Sequence, residues 1–251
     1  MKLLFLGVSS ALTVGKDKFH SNMLLESKSS RKFLIDCGSD IRHSLYAQGY
    51  SHTDIEAVYV SHLHADHAGG LEWLGFSKFF IEKKIPALYT SPDLVHKLWQ
   101  NVLSGGMMSL ENEQAGLETF FEVMPIDNNC FTWENHLFQL IKTYHTFNNH
   151  KLLPSYGLLI EGDTKSIFIS TDTRLHRESL LPIYEKVDLI FNDCEISEQA
   201  SGQHAHYSDL RTLDSKIKKK MWLYHYNQGK LPEAEKDGFL GFVTQGQLFN
   251  F

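Results

Sequence analysis

Short apolar runs bounded by turn-forming residues recur along the whole chain. The first four are KLLFLGV from Lys2, NMLLES from Asn22, KFLIDCG from Lys32 and AVYVSH from Ala57. Their length and their Leu, Ile, Val and Phe content predict buried strands. Between the third and fourth, Ile41, Leu45 and the closing Gly49 of SDIRHSLYAQGY predict a helix of about two to three turns stopped by glycine. PALYT then predicts a strand, and SPDLVHKLWQNVL a helix with Ser91 as cap and Pro92 in the first position. This alternation is that of an α/β chain.

From Ser104 to Glu118, SGGMMSLENEQAGLE shows no clear period and predicts a mobile loop or small cap, with no role assigned to it. Strands resume at FFEVMPI, LFQLIKTYH, SYGLLIEGD and SIFIST. A helix at RESLLPIYEKV, strands at DLIFND and KMWLYHY, and a glycine-punctuated finishing hairpin at GFLGFVTQGQLFNF complete the chain. With no internal repeat, low-complexity block or Pro/Gly/Ser linker, the expectation is one domain spanning residues 1–251.

Composition narrows the class. Of 251 residues, 42% are apolar and 22% charged, enough hydrophobic material for a substantial core. A formal net charge of -6 argues against a surface built for polyanions, and KIKKK at Lys216 to Lys220 reads as a solvated helix face. Cys37, Cys130 and Cys194 are odd in number and widely spaced, so free thiols in a reducing, cytoplasmic compartment are expected. The run from Leu3 to Leu6 is short for the core of a signal peptide, and no segment has the apolar length that spans a bilayer.

The chemistry concentrates in SHLHADHAGG, which follows a strand and precedes a glycine pair. His62 and His64 alternate along an extended segment and so face one side, while Asp66 and His67 come after the turn and can face a second point. Mixed imidazole and carboxylate donors suit a borderline ion such as zinc, and two donor pairs on one loop suit a dinuclear site. One histidine of this kind would more simply hydrogen-bond its own loop; four donors at this density favour metal. Further ligands are then needed, and His145, Asp172 and His225 stand at or near the ends of apolar strands. Alone, each would be a half-buried histidine or a turn-forming aspartate.

This order of motifs resembles the metallo-β-lactamase fold hydrolases, over nearly the whole chain: FLGVSSA, LIDCG, HLHADH, His145, STDT and YHY. The resemblance implies a four-layer αβ/βα sandwich with two divalent metal ions at the sheet ends. It implies His62, His64 and His145 on the first ion, Asp66, His67 and His225 on the second, and Asp172 bridging them. Within that superfamily, IDCGSDIRHSL and HLHADHAGGL look most like the ribonuclease Z and cyclic-nucleotide phosphodiesterase branch. That branch carries a glutamate and a histidine before the last ligand, and NDCEISEQASGQHAHYSDL offers Glu195 with His204 or His206. Ribonuclease Z also carries a long arm for transfer RNA, whereas the stretch from Thr146 to Arg174 is short and taken up by strands. The chain therefore looks most like the cyclic-nucleotide phosphodiesterases, including the anti-Pycsar enzymes by which phages degrade cyclic-mononucleotide immune signals.

The expected activity is hydrolysis of a small phosphodiester, most simply a cyclic nucleotide, using two ions of zinc or manganese. Candidate catalytic residues are Asp66, His204, His206 and Glu195, with His204 as proton donor to the leaving oxygen and Glu195 orienting. Asp36, closing FLID, is a candidate to orient a ligand imidazole, or an ordinary turn residue. Cys37 and Cys194 read as small buried hydrophobes. Rival readings are a tRNA 3′-processing endonuclease, a lactone or thioester hydrolase on the same scaffold, and a degenerate metal-free binding module. Met107, Met108 and Leu110, taken as exposed, suggest a homodimer contact.

Overall fold

The computed structural model describes residues 1–111 and 113–251, which form two compact units. One comprises residues 1–7, 19–128 and 248–250, the other residues 8–18, 129–247 and 251.

The first unit is a seven-stranded sheet in the order Leu248–Asn250, Lys2–Phe5, Met23–Glu26, Lys32–Ile35, Ala57–Val60, Ala87–Thr90 and Glu122–Pro125. The first three pairings are antiparallel and the last three parallel. Ala57–Val60 is buried at every position, as a strand covered on both faces must be, which is why AVYV does not alternate. Helices Ile41–Ala47, Leu71–Phe76 and Pro92–Leu98 contribute Ile41, Leu45, Leu71, Leu74 and Leu98 to the core over Leu34, Val58 and Leu88. Gly49 ends the first of them at φ +78°, where Tyr50 N donates to the Leu45 carbonyl at 2.9 Å.

Three expectations in this unit need correction. Ser91 holds the cap position with extended backbone, but its side chain makes no capping bond; Pro92 takes the first helical position as predicted. Within 104–118 the described residues correct only the loop alternative. They form helix Ser104–Met107, the hairpin of Ser109–Leu110 with Glu113–Gln114, and the start of helix Leu117–Phe120. Each piece is too short for its period to show, and burial of Met107, Ala115, Leu117 and Phe120 holds them together. Met107 is therefore core rather than exposed surface: a Cβ on Gly75 would meet its methyl carbon at 3.0 Å. Only Met108 of the pair is exposed.

The second unit carries its own seven-stranded sheet, in the order Gly241–Phe242, Met221–Tyr224, Leu189–Asp193, Ser166–Ile169, Tyr156–Glu161, His136–Lys142 and Cys130–Trp133. Its Ser166–Ile169, Leu189–Asp193, Met221–Tyr224 and Gly241–Phe242 strands run parallel and the remainder antiparallel. Cys130–Trp133 went unread in the sequence. It pairs with His136–Lys142 through Glu134 and Asn135 at φ +49° and +63°, a turn glycine usually marks. The finishing hairpin is also corrected, because Gly241–Phe242 pairs with Met221–Tyr224 whereas Leu248–Asn250 pairs with Lys2–Phe5 in the other sheet. In KIKKK, Ile217 is buried and Lys220 Nζ donates to the carbonyls of Glu185 and Val187, where the helix Arg177–Lys186 ends. That run is thus partly structural, with Lys216 and Lys219 left exposed. Among the described residues, no helix is long and apolar enough to cross a membrane.

Candidate metal centre

In the first unit, His62 and His64 leave the end of strand Ala57–Val60, and Asp66 and His67 open the short helix Ala65–Ala68. Four donors thus sit within one turn of chain beyond a parallel strand, the edge at which open α/β sheets place their ligands. The rings of His62 and His67 lie 4.1 Å apart, and His67 Nε2 is 3.1 Å from Asp66 Oδ2. His62, Asp66 and His67 are buried, while His64 is exposed with its Nδ1 3.1 Å from His62 Nε2.

The loop is held from beneath. Asp36, fully buried at φ +62°, accepts from Ser61 N at 2.8 Å, Ser61 Oγ at 2.8 Å and His67 Nδ1 at 2.7 Å. Left-handed backbone is costly for a residue with a side chain, so the surroundings must enforce it, and here it aims a carboxylate at His67. Because the Ser61 proton goes to Asp36, its oxygen accepts from His62 Nδ1 at 3.0 Å. Both imidazoles are thereby held with Nε2 turned outward. Asn22, also buried, accepts from Gly38 N at 2.7 Å and donates to the Asp66 carbonyl at 3.0 Å. A Cβ on Gly38 would stand 2.2 Å from that carbonyl, so the close approach requires glycine. Asn22 and Ser61 carried no signal in the sequence, since both lie in ordinary strand-flanking positions.

In the second unit the donors again gather beyond strand ends: Asp172 after Ser166–Ile169, His225 after Met221–Tyr224, and His145 three residues past Lys142. Asp172 Oδ2 lies 3.6 Å from His145 Nε2, and its Oδ1 lies 3.4 Å from His225 Nε2. His225 is itself in left-handed backbone at φ +60°, as is Thr171 at φ +50°. Ligand atoms of Asp172, Asp193, His204 and His225 all lie within 4.8 Å of one another.

Asp193 is the residue the sequence reading missed. It closes strand Leu189–Asp193, is fully buried, and accepts from His204 Nδ1 at 2.7 Å and Thr173 N at 2.9 Å, while its other oxygen faces His225 Nδ1 at 3.2 Å. The signal was available, for LIFND repeats the FLID pattern of an apolar strand closed by aspartate. Burial pushes the Asp193 carboxyl up, but the charge and hydrogen bond of His204, with those of His225, outweigh it and hold the group below the usual carboxylate range. For His204, burial works against the charged form, and the Asp193 carboxylate more than offsets it, so the imidazole lies above its ordinary value.

Glu195 and His206 occupy other positions. Glu195 accepts from Ser197 Oγ at 2.5 Å and from Ser201 N at 2.9 Å and Oγ at 2.9 Å, which closes the loop between them. These hydrogen bonds hold its carboxyl below the usual range in spite of burial. His206 donates from Nε2 to the Ser197 carbonyl at 2.8 Å, and its Nδ1 meets Ser208 Oγ at 2.7 Å as the cap of helix Tyr207–Leu210. Both of its ring nitrogens are thus taken, whereas the ring of His204 packs 5.0 Å from His225 and 4.8 Å from His145. Cys37 and Cys194 are buried, and burial, then the neighbouring Asp36 and Asp193 respectively, pushes each thiol up, away from thiolate chemistry.

A divalent ion fits both donor sets. His145 Nδ1 donates to the Gln203 carbonyl at 3.0 Å, which leaves the lone pair of the neutral ring on Nε2, and burial shifts this imidazole below its ordinary value. That lone pair and a carboxylate oxygen of Asp172 face each other as two acceptors, an arrangement a cation between them stabilises. His67, committed through Nδ1 to Asp36, presents Nε2 to Asp66 in the same way.

Known proteins agree with this architecture. The chain is 18% identical to the metallo-β-lactamase fold protein YhfI of Bacillus subtilis, with a TM-score of 0.75 over 99% of this chain and 98% of that one. A diphosphatase of the PhnP family aligns at a TM-score of 0.76 and 16% identity, over 100% and 96% of the two chains. The fold is therefore the metallo-β-lactamase fold, as the motif order implied. In sequence, an anti-Pycsar protein Apyc1 of Paenibacillus harenae is 35% identical over 232 residues, 90% of each chain. The family model described as anti-Pycsar protein Apyc1 matches residues 1–249, and the chain belongs to that family.

Proposed function

We propose that His62, His64, Asp66 and His67 act together with His145, Asp172 and His225 to hold two divalent ions, zinc or manganese, and that the chain hydrolyses a cyclic nucleotide. The protein is a metal-dependent hydrolase, and a single domain over residues 1–251 remains part of the proposal, supported by a family model that matches residues 1–249. Such ions supply charge neutralisation for the diester and acidify a water for attack on phosphorus. His204 delivers the proton to the departing ribose oxygen from Nε2, since Nδ1 is committed to Asp193. Asp193 shifts that imidazole upward from its ordinary value and fixes its ring, while Asp36 does the latter for His67. Glu195 and His206 shape the loop that carries His204.

The observation that carries this reading is the buried Asp193 to His204 bond beside Asp172, a proton donor set against a metal-type donor cluster. Family membership supports a cyclic nucleotide signal as substrate. Against transfer RNA, the segment after His145 is a two-residue ribbon, Phe147–Asn148 paired with Lys151–Leu152, followed by sheet strands. A thioester hydrolase would have little use for His204, because a thiolate leaves without a proton, and the product analysis below separates the lactone reading. The homodimer remains part of the proposal, with Met108 and half-buried Leu110 as its surface residues and light scattering as its test.

The deciding experiment combines metal analysis with product analysis. Protein purified without chelator should carry about two ions per chain, and Asp172→Ala should lose metal and turnover together. Incubation with cyclic mononucleotides, cyclic dinucleotides, a lactone and a precursor tRNA should yield product from the first. A metal-free, inactive wild type favours the binding-module reading, and lactone opening without diester cleavage favours the carbonyl hydrolase.

A further inference from the structure

The chain beyond His145 is tied unusually closely to the residues around it. Arg174 N donates to the Tyr144 carbonyl at 2.6 Å and Arg174 Nε to the His145 carbonyl at 3.0 Å, so one arginine brackets the peptide on both sides of His145. Its guanidinium then lies over the ring of Phe147, 4.9 Å from the centroid. Thr146 Oγ1 donates to Gln203 Oε1 at 3.1 Å, and Gln203 also accepts from His145 Nδ1 through its carbonyl. Leu153 N closes the ribbon onto the Thr146 carbonyl at 2.9 Å.

Two paired residues on each side cannot hold a ribbon in water, so these bonds are what fix Phe147. Yet Phe147 is 43% exposed. One face of its ring is covered by Arg174, and the exposure of the residue leaves the rest of the ring partly accessible. Leu153, 39% exposed, adds apolar surface beside the ribbon. An aromatic ring tied down through its neighbours, backed by a cation and still partly exposed is suited to be a stacking platform.

The geometry points to Phe147, backed by Arg174, as the surface on which the nucleobase of the substrate stacks. The inference rests on the cyclic-nucleotide reading above and deepens it. Phe147 is two residues from His145, a separation of at most about 7 Å between their Cα atoms. A phosphate handled at His145 and His204 therefore has its base within reach of the ring. Every base has a π face, so the platform favours nucleotides over phosphodiesters without a base and discriminates weakly among bases.

Calorimetry with a nucleoside 5′-monophosphate and with ribose 5-phosphate tests the platform apart from turnover. Phe147→Ala and Phe147→Leu should each weaken the nucleotide by about tenfold to a hundredfold and leave ribose phosphate unchanged, and Phe147→Trp should restore binding. Leucine preserves packing on Arg174 but offers no π face, so it separates stacking from a structural role. With a cyclic nucleotide, both losses should appear mainly in KM. Equal weakening of the two ligands, full binding by Phe147→Leu, or no rescue by tryptophan overturns the platform. If the wild type binds the monophosphate in this pattern but cleaves no cyclic nucleotide, the platform stands and the substrate assignment falls.

Discussion

Asp193 Oδ2 accepts from His204 Nδ1 at 2.7 Å, across eleven residues of chain and at a position where the aspartate is fully buried. Because the same carboxylate also faces His225, one side chain positions both a proposed proton donor and a proposed ligand. Asp193→Asn keeps the shape and removes the charge. Metal affinity or turnover should fall roughly tenfold to a hundredfold, the usual cost of removing a carboxylate that fixes a ligand imidazole. Elemental analysis after dialysis against a weak chelator, alongside steady-state rates, reads the effect; a variant matching the wild type on both counts removes Asp193 from the mechanism.

His204 and His206 should separate cleanly. His204→Ala should retain metal and slow cleavage of a cyclic 3′,5′-nucleotide by about a hundredfold to ten-thousandfold, with much less effect on an activated aryl diester whose phenolate leaves unaided. His206→Ala removes a helix cap, so it should cost about 0.5–2 kcal/mol of stability and leave the preference between the two esters alone. Thermal melts and rates on both substrates distinguish the two; a larger rate loss in the His206 variant would transfer the acid role to it.

Met107→Ala should destabilise the protein by about 2–5 kcal/mol, as truncation of a fully buried methionine does, whereas Met108→Ala should stay within about 0.5 kcal/mol. Denaturant midpoints measure both. Near-equal small effects would return Met107 to the surface.

Asp188 supplies a pH test away from the site. Ser166 N and Oγ donate to its carboxylate at 2.8 and 3.0 Å, and these bonds hold the group below the usual carboxylate range. A carboxyl depressed in the folded state stabilises above its unfolded value, and that stability is lost as pH falls through the folded one. Asp188→Ala should therefore melt below the wild type at neutral pH, and the two melting curves should converge in acid. A gap that persists at low pH would assign the loss to packing instead.

The strands at Leu3, Leu34, Val58, Ile167 and Ile190, and the donor loop of His62, His64, Asp66 and His67, stood out because burial and metal chemistry each restrict residue choice locally, whereas His145, Asp172 and His225 became candidates only beside that loop. A strand covered on both faces needs continuous apolar residues, and a dense imidazole and carboxylate loop has few other uses. What the chain alone left open depended on partners distant in sequence. Asp193 looks like any strand-end aspartate until folding sets it against His204 and His225, and Glu195, nearer the expected pattern, is drawn off by Ser197 and Ser201. Met107 could not be told from a surface methionine until Gly75 and Phe121 enclosed it. Leu248–Asn250 reads as half of a hairpin with Gly241–Phe242, yet strand pairing is decided by which sheet edge is open, and its partner is Lys2–Phe5 at the other end of the chain.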